Sequence, residues 1–229
     1  MTEKTGRGLI TFDQTQTICM NTTQPQDGSL KFDCHLTTER IVILPELFDP
    51  LNHWREELWD KCLIGAYPDG IGYGNISIRV PNTDQFYISG TATGGIPELD
   101  QLHYPLVERC DPVLNAIWCR GLIKASAESM SHAAIYAAST EVGAVVHIHN
   151  LQLWEKYLDI LPATSKEIEY GTPEMAFAIS KIMTQQETKD RKVFVMGGHK
   201  EGIIAFGKTV EEAALAILKL EDRSRKSED

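Results

Sequence analysis

The stretch GAVVHIH, residues 143–149, decides how this chain is read. An apolar run leads into His147-Ile148-His149, the pattern of a buried strand ending in two histidines. Side chains two apart on a strand leave the same face of a sheet. Both imidazoles could then reach one ion at about 2.0–2.1 Å, the usual zinc–nitrogen distance. Taken alone, the pattern serves equally well for two histidines held by ordinary hydrogen bonds.

A third candidate ligand, His199, lies in VFVMGGHKEGIIAFG (193–207), between two expected strands. The glycines around it let the backbone turn sharply and approach closely. A loop histidine by itself is more often a surface residue. Joined to His147 and His149, it gives three neutral imidazoles and an open position for substrate, as catalytic rather than structural sites have. Such a donor set suits Zn²⁺, Mn²⁺, Fe²⁺ or Co²⁺.

Glu128, in KASAESMSH (124–132), is the candidate acid/base. It stands at an expected helix start, where free N–H groups and the helix dipole favour an anion. A plain capping role explains it as well. His132, four residues on, faces the same side, and packing or a hydrogen bond is expected of it. The loops GYGNIS (72–77) and SGTATGG (89–95) carry donors that can cradle a phosphate or carboxylate, although tight turns use the same residues. Neither is a P-loop or a dinucleotide fingerprint, and there is no G-x-S-x-G or H-E-x-x-H.

Further out, residues 9–44 read as strand-rich, with LITFDQTQTICM and LKFDCHL flanking a turn as a hairpin or arm. Residues 51–67 carry apolar side chains at helical spacing, after Pro50. NISIRV, QFYISG, YPLVERCD and VLNAIWCRG read as strands. AESMSHAAIYAAS reads as a helix capped by Ser126, and PEMAFAISKIMTQQ as one capped by Thr172. TVEEAALAILKLEDRS shows a capping box at Thr209 and Glu212. Strands in adjacent groups separated by single helices point to an α/β layered domain on a mixed sheet, not a doubly wound one.

The chain has 229 residues, 42% of them apolar and 24% charged, as expected of one globular domain with an appendage. Its net charge, 22 − 32 = −10, argues against sequence-independent nucleic-acid binding and an anionic membrane surface. The five scattered cysteines form no C-x-x-C pair and read as reduced thiols of a cytoplasmic protein. No signal peptide or membrane-spanning run is visible.

Taken in order, GNIS (74–77), TGGIPEL (93–99), KASAESMSHAAIY (124–136), AVVHIH (144–149), YGTPEMA (170–176) and GGHKEGIIAFGKTVEEA (197–213) resemble the class II aldolase/adducin family, of the fuculose-phosphate and ribulose-phosphate aldolase type. The resemblance runs from about residue 51 to residue 221. It implies a three-layer α/β/α fold on a mixed, mostly antiparallel sheet, with residues 1–50 as an N-terminal strand-rich extension and 51–229 as the family domain. It also implies a divalent metal, zinc first, on His147, His149 and His199, and Glu128 as acid/base. Asn75, Thr93, Gly94 and Ser126 fall where the aldolases bind the substrate phosphate. A small-molecule substrate, a homotetramer and enediolate chemistry are implied too, with aldol cleavage as the default.

Four departures set this chain apart. Ala127 replaces the second serine of Ser-Ser-Glu. Gly72 stands where a phosphate-binding threonine is common. The segment from His149 to Tyr170 is short and lacks the loop bearing the aldolases' catalytic tyrosine. The usual His-Gly is split as His199-Lys200-Glu201-Gly202. They keep open a dehydratase, decarboxylase, epimerase or metal oxygenase on the same scaffold. A non-catalytic adducin-like module is the remaining alternative.

Overall fold

A computed structural model describes residues 30–225. The segment that decides the sequence reading is strand β8 (Ala144–His149), and it lies inside the sheet, not at an edge. Before it come β1 (Asp33–Thr38), α1 (Pro45–Asp60), β2 (Gly65–Ala66), β3 (Gly72–Tyr73), β4 (Asn75–Arg79), β5 (Phe86–Ile88), β6 (Leu106–Asp111), β7 (Ala116–Gly121) and α2 (Ser129–Ala138). After it come α3 (Leu151–Tyr157), α4 (Pro173–Ile182), α5 (Gln186–Arg191), β9 (Val193–Val195), β10 (Gly202–Gly207) and α6 (Val210–Arg225).

Among the described residues, eight strands form one sheet in the order β1-β7-β6-β5-β4-β8-β10-β9, and β2 pairs with β3 apart from it. Of these strand pairings only β1 with β7 is parallel. The sheet is therefore mixed and mostly antiparallel. Both its faces are covered, which is why β8 reads as a continuous apolar run and not an alternating one. Ala144, Val146 and Ile148 join a core that includes Leu51 and Leu58 of α1, Leu153 of α3 and Ile217 of α6. Val145 faces the other way, into a core with Met130 and Ile135 of α2 and Met175 and Ile179 of α4. The result is three layers, helix on sheet on helix. By the two-residue period, His147 and His149 share the α2/α4 face with Val145.

Three local expectations are corrected. Helix α1 begins at Pro45, not after Pro50, and Pro50 lies inside it. The proline removes one N–H, but the carbonyl thereby freed belongs to Glu46 in the first turn, an exposed residue that water can solvate. Ser126 is not the N-cap of α2. Its main chain instead makes a turn, accepting Ser129 N–H and Ser129 Oγ–H, and Glu128 takes the cap position without a side-chain capping bond. The capping box of α6 is half formed: Thr209 Oγ1 accepts from Glu212 N–H, but Glu212 reaches back to Lys208 N–H.

Of the expected hairpin, the arm LITFDQTQTICM and the turn lie outside the described residues, and only the arm LKFDCHL is described. There β1 joins the sheet edge beside β7. Cys34, Cys110 and Cys119 are free thiols, but Cys62 is disulfide-bonded, which corrects the expectation of reduced thiols throughout. Among the described residues, no helix is long and apolar enough to cross a membrane.

Candidate metal centre and active-site cavity

One strand end and one loop build the histidine cluster. His147 and His149 close β8, each 1% exposed. His199 lies between β9 and β10, on a turn in which His199 N–H donates to Met196 O and Gly202 N–H donates to His199 O. Glycines make that turn possible. A Cβ on Gly198 would lie 1.8 Å from Ile168 O, and one on Gly197 2.2 Å from Thr164 O. A bulkier loop could not pass so close to residues 164–168.

The three rings stand with centroids 4.7–5.0 Å apart, and their candidate ligand atoms all lie within 4.8 Å of one another. Tyr170 stacks on His199 at 4.3 Å and backs the cluster. Burial, reinforced by the neighbouring histidines, holds the His147 pKa well below its ordinary value. His147 is therefore neutral, the form that binds a metal.

Which ring nitrogens could coordinate follows from what the others touch. His147 Nδ1 meets the Asn75 side-chain amide at 3.3 Å, and His149 Nδ1 meets Tyr67 Oη at 2.8 Å. That directs Nε2 of both rings toward the shared space. His147 Nε2 is buried and has no hydrogen-bond partner among the described residues. Ligation through Nε2 places the proton on Nδ1, which then needs an acceptor. Asn75 supplies one by exchanging the places of its amide oxygen and nitrogen, and its buried Oδ1 is otherwise unused among the described residues. The residues present thus fit a three-imidazole metal site.

Two residues that sequence reasoning missed support the cluster from behind. Tyr67 donates its hydroxyl to Glu201 Oε2 at 2.8 Å, forming a chain from His149 through Tyr67 to Glu201. Glu201 is 2% exposed and has φ 73°, which side-chain-bearing residues seldom adopt. The split His-Gly motif was the available signal, because Glu201 is one of the two residues that split it. Groups that fix a ligating histidine from behind commonly alter metal affinity by about 10- to 100-fold. Tyr67→Phe is accordingly expected to weaken metal binding about tenfold, measured by competition with a chelating dye.

Glu128 is 2% exposed and borders the cluster. Its Oε2 accepts from Ser131 Oγ at 2.6 Å, and its Oε1 stands 3.7 Å from His199 Nδ1. The displaced cap thus leaves the carboxylate beside the histidines rather than over the helix end. His132 is apart in role. Its Nδ1 pairs with Ser77 Oγ at 2.7 Å, Ser77 also meets Tyr136 Oη, and burial lowers its pKa to about 3. It is a neutral core histidine.

A cavity of about 400 Å³ opens beside Glu128 and His147. The segments 70–75, 90–94 and 126–128 wall it, so that Asn75, Thr93, Gly94 and Ser126 line one space with Glu128. Gly94 is where a side chain cannot stand: its Cβ would lie 2.0 Å from Gly65 O. Among the described residues no lysine or arginine lines the cavity, and its donors are neutral hydroxyls, amides and main-chain groups.

Comparison with known proteins follows the same outline. Residues 69–226 match the family model described as the class II aldolase and adducin N-terminal domain. Over 101 residues the chain is 36% identical to methylthioribulose-1-phosphate dehydratase of Leptospira interrogans, covering 39% of each protein. L-fuculose-1-phosphate aldolase from Thermus thermophilus has a similar structure, with TM-score 0.59 and 19% identity over 80% of this chain and 92% of that one. A sugar-phosphate aldolase from Thermotoga maritima gives 0.58 and 18% over 79% and 92%. YgbL from Escherichia coli gives 0.58 and 18% over 79% and 87%. At these identities the structural likeness speaks to the fold alone.

Proposed function

Because this chain belongs to the class II aldolase and adducin family, with residues 69–226 matching its family model, we propose that it is a metal-dependent lyase. Its substrate is a small hydroxy-carbonyl compound, sugar- or sugar-phosphate-like, and the default reaction is aldol cleavage. One observation carries the reading: a buried carboxylate, Glu128, stands 3.7 Å from His199 of a three-histidine cluster, at the wall of a cavity lined with neutral anion donors.

The residues divide the work by position. His147, His149 and His199 would hold the ion, zinc first, with manganese, iron or cobalt also compatible. When bound, such an ion supplies positive charge that stabilises the negative charge developing on the substrate's oxygens. Glu128 moves the proton. Ser131 fixes Oε2 and leaves Oε1 on the side of the cluster. Asn75, Thr93, Gly94 and Ser126 orient the substrate's anionic end. The family resemblance supports a cytoplasmic homotetramer as part of the same proposal.

Dehydration is the second reading, favoured by the named dehydratase relative and by Ala127 and Gly72, which remove two hydroxyl donors. Either reaction begins with charge developing next to a carbonyl, so the cluster and Glu128 serve both. A binding module without chemistry has no use for a complete set of three histidines and a carboxylate. The test is a panel of phosphorylated and unphosphorylated hydroxy-ketones offered to the metal-loaded protein. Cleavage to dihydroxyacetone phosphate or glycolaldehyde phosphate supports aldol chemistry. Loss of water with the carbon chain intact supports dehydration. Turnover of none counts against the lyase reading.

A further inference from the structure

Arg55, on α1, has no part in that chemistry, yet it is 1% exposed and spends its hydrogen bonds on one wall of the cavity. Its guanidinium donates to Pro97 O at 2.6 Å, to Thr93 O at 3.0 Å and to Gly94 O at 3.4 Å. Trp59, one turn along α1, donates Nε1–H to Gly94 O at 3.0 Å. Among the described residues the acceptors of Arg55 are main-chain carbonyls alone, and its buried Nε has no partner there. A buried charge ordinarily needs a counter-charge or a full set of hydrogen bonds. Here the carbonyl dipoles of one loop take that role.

The same bonds fix the direction of the loop's N–H groups. In a trans peptide the C=O and the following N–H point opposite ways, and the described residues contain no cis peptide bond. With Thr93 O and Gly94 O turned to Arg55 and Trp59, the N–H groups of Gly94 and Gly95 turn away from them. Among the described residues neither N–H donates to a protein acceptor. Gly94 lines the cavity, and so does Gly72 facing it, where a Cβ would lie 3.3 Å from Gly94 N. The glycine that departs from the family's threonine therefore leaves that N–H uncovered.

We propose that Arg55 is a positioning residue: from behind the loop it holds the Gly94 N–H group toward an anionic group of the substrate and lends that wall its positive charge. The proposal rests on the cavity being the substrate site. Oriented main-chain N–H groups make anion-binding concavities, and a cavity wall without lysine or arginine draws on them.

The test is calorimetric titration of inorganic phosphate into the full chain, as wild type, Arg55→Lys and Arg55→Met, with zinc affinity measured in parallel. The methionine variant is expected to bind phosphate about 100-fold more weakly and the lysine variant about tenfold, since bonds from a charged donor are among the stronger ones. Zinc affinity should stay within about threefold, because the two sites share no partner. Unchanged phosphate affinity in a folded variant overturns the proposal, and so does parallel loss of phosphate and zinc binding. Should neither variant fold, the wild type decides by nuclear magnetic resonance. Phosphate, and not chloride, should shift the Gly94 amide signal saturably, and an unmoved signal overturns the proposal. Phosphate binding requires no turnover. A protein that binds phosphate on this amide but transforms no hydroxy-ketone refutes the lyase reading alone.

Discussion

Glu128→Gln lowers kcat by about a thousandfold and leaves the metal content unchanged, the loss expected when a positioned acid/base is removed. The substitution keeps the shape of the side chain. The amide oxygen can still accept from Ser131 Oγ, the bond that now holds Oε2 at 2.6 Å. What disappears is the capacity to take and return a proton beside His199. Because Glu128 is 2% exposed, replacing its carboxylate with a neutral amide removes a buried charge and need not destabilise the fold. Steady-state kinetics and elemental analysis on one preparation separate the outcomes. Retained activity would mean that Glu128 is only a helix-start residue. Lost metal would mean that the carboxylate holds the ion.

Replacing His147 and His149 together with alanine abolishes metal uptake and brings activity below detection. Both side chains are 1% exposed on one face of β8, so one double substitution removes two of three candidate ligands. Thermal denaturation gives a readout independent of turnover. A ligand that binds only the folded state at 100 times its Kd stabilises that state by about 2.7 kcal/mol. Wild-type protein should therefore melt higher when zinc or manganese is added, and the double variant should not. A double variant that still gains stability from added metal would place the ion elsewhere.

How much of this was legible in sequence depends on the distance over which each feature is decided. The strand ending in His147 and His149 was legible because an apolar run and a two-residue period are local properties. The cap at Thr172 was legible for the same reason, and Thr172 Oγ1 does accept from Met175 N–H. Two local signals misled. Pro50 marks a helix boundary on average, but here it sits early in α1, where the freed carbonyl faces water. Ser126 is a good capping residue by type, but α2 begins only at Ser129, and Ser126 Oγ accepts from Glu128 N–H at 3.3 Å before the helix starts.

The family-level outline, mixed sheet and covered faces were legible through six ordered motifs, each modest alone. The groups behind the site were not. Tyr67 reaches Glu201, 134 residues away, and Arg55 reaches Thr93 and Gly94 from a helix whose own spacing shows only an amphipathic face. Contacts of that range leave no trace in periodicity or capping. The net charge of −10 also misdirects if read as a statement about the site. The cavity wall is neutral apart from Glu128 and whatever His147 helps to hold, with a buried guanidinium behind it.

The central claim is that three histidines, two at the end of one strand and one on a loop, hold one divalent metal. Elemental analysis of purified wild-type protein after exhaustive dialysis, beside the His147/His149 double alanine variant, tests it most directly. The expected result is about one divalent ion per wild-type chain, as three neutral imidazoles imply, and none in the variant. Wild-type protein that carries no metal, and takes up none when offered zinc, manganese, iron or cobalt, would contradict it.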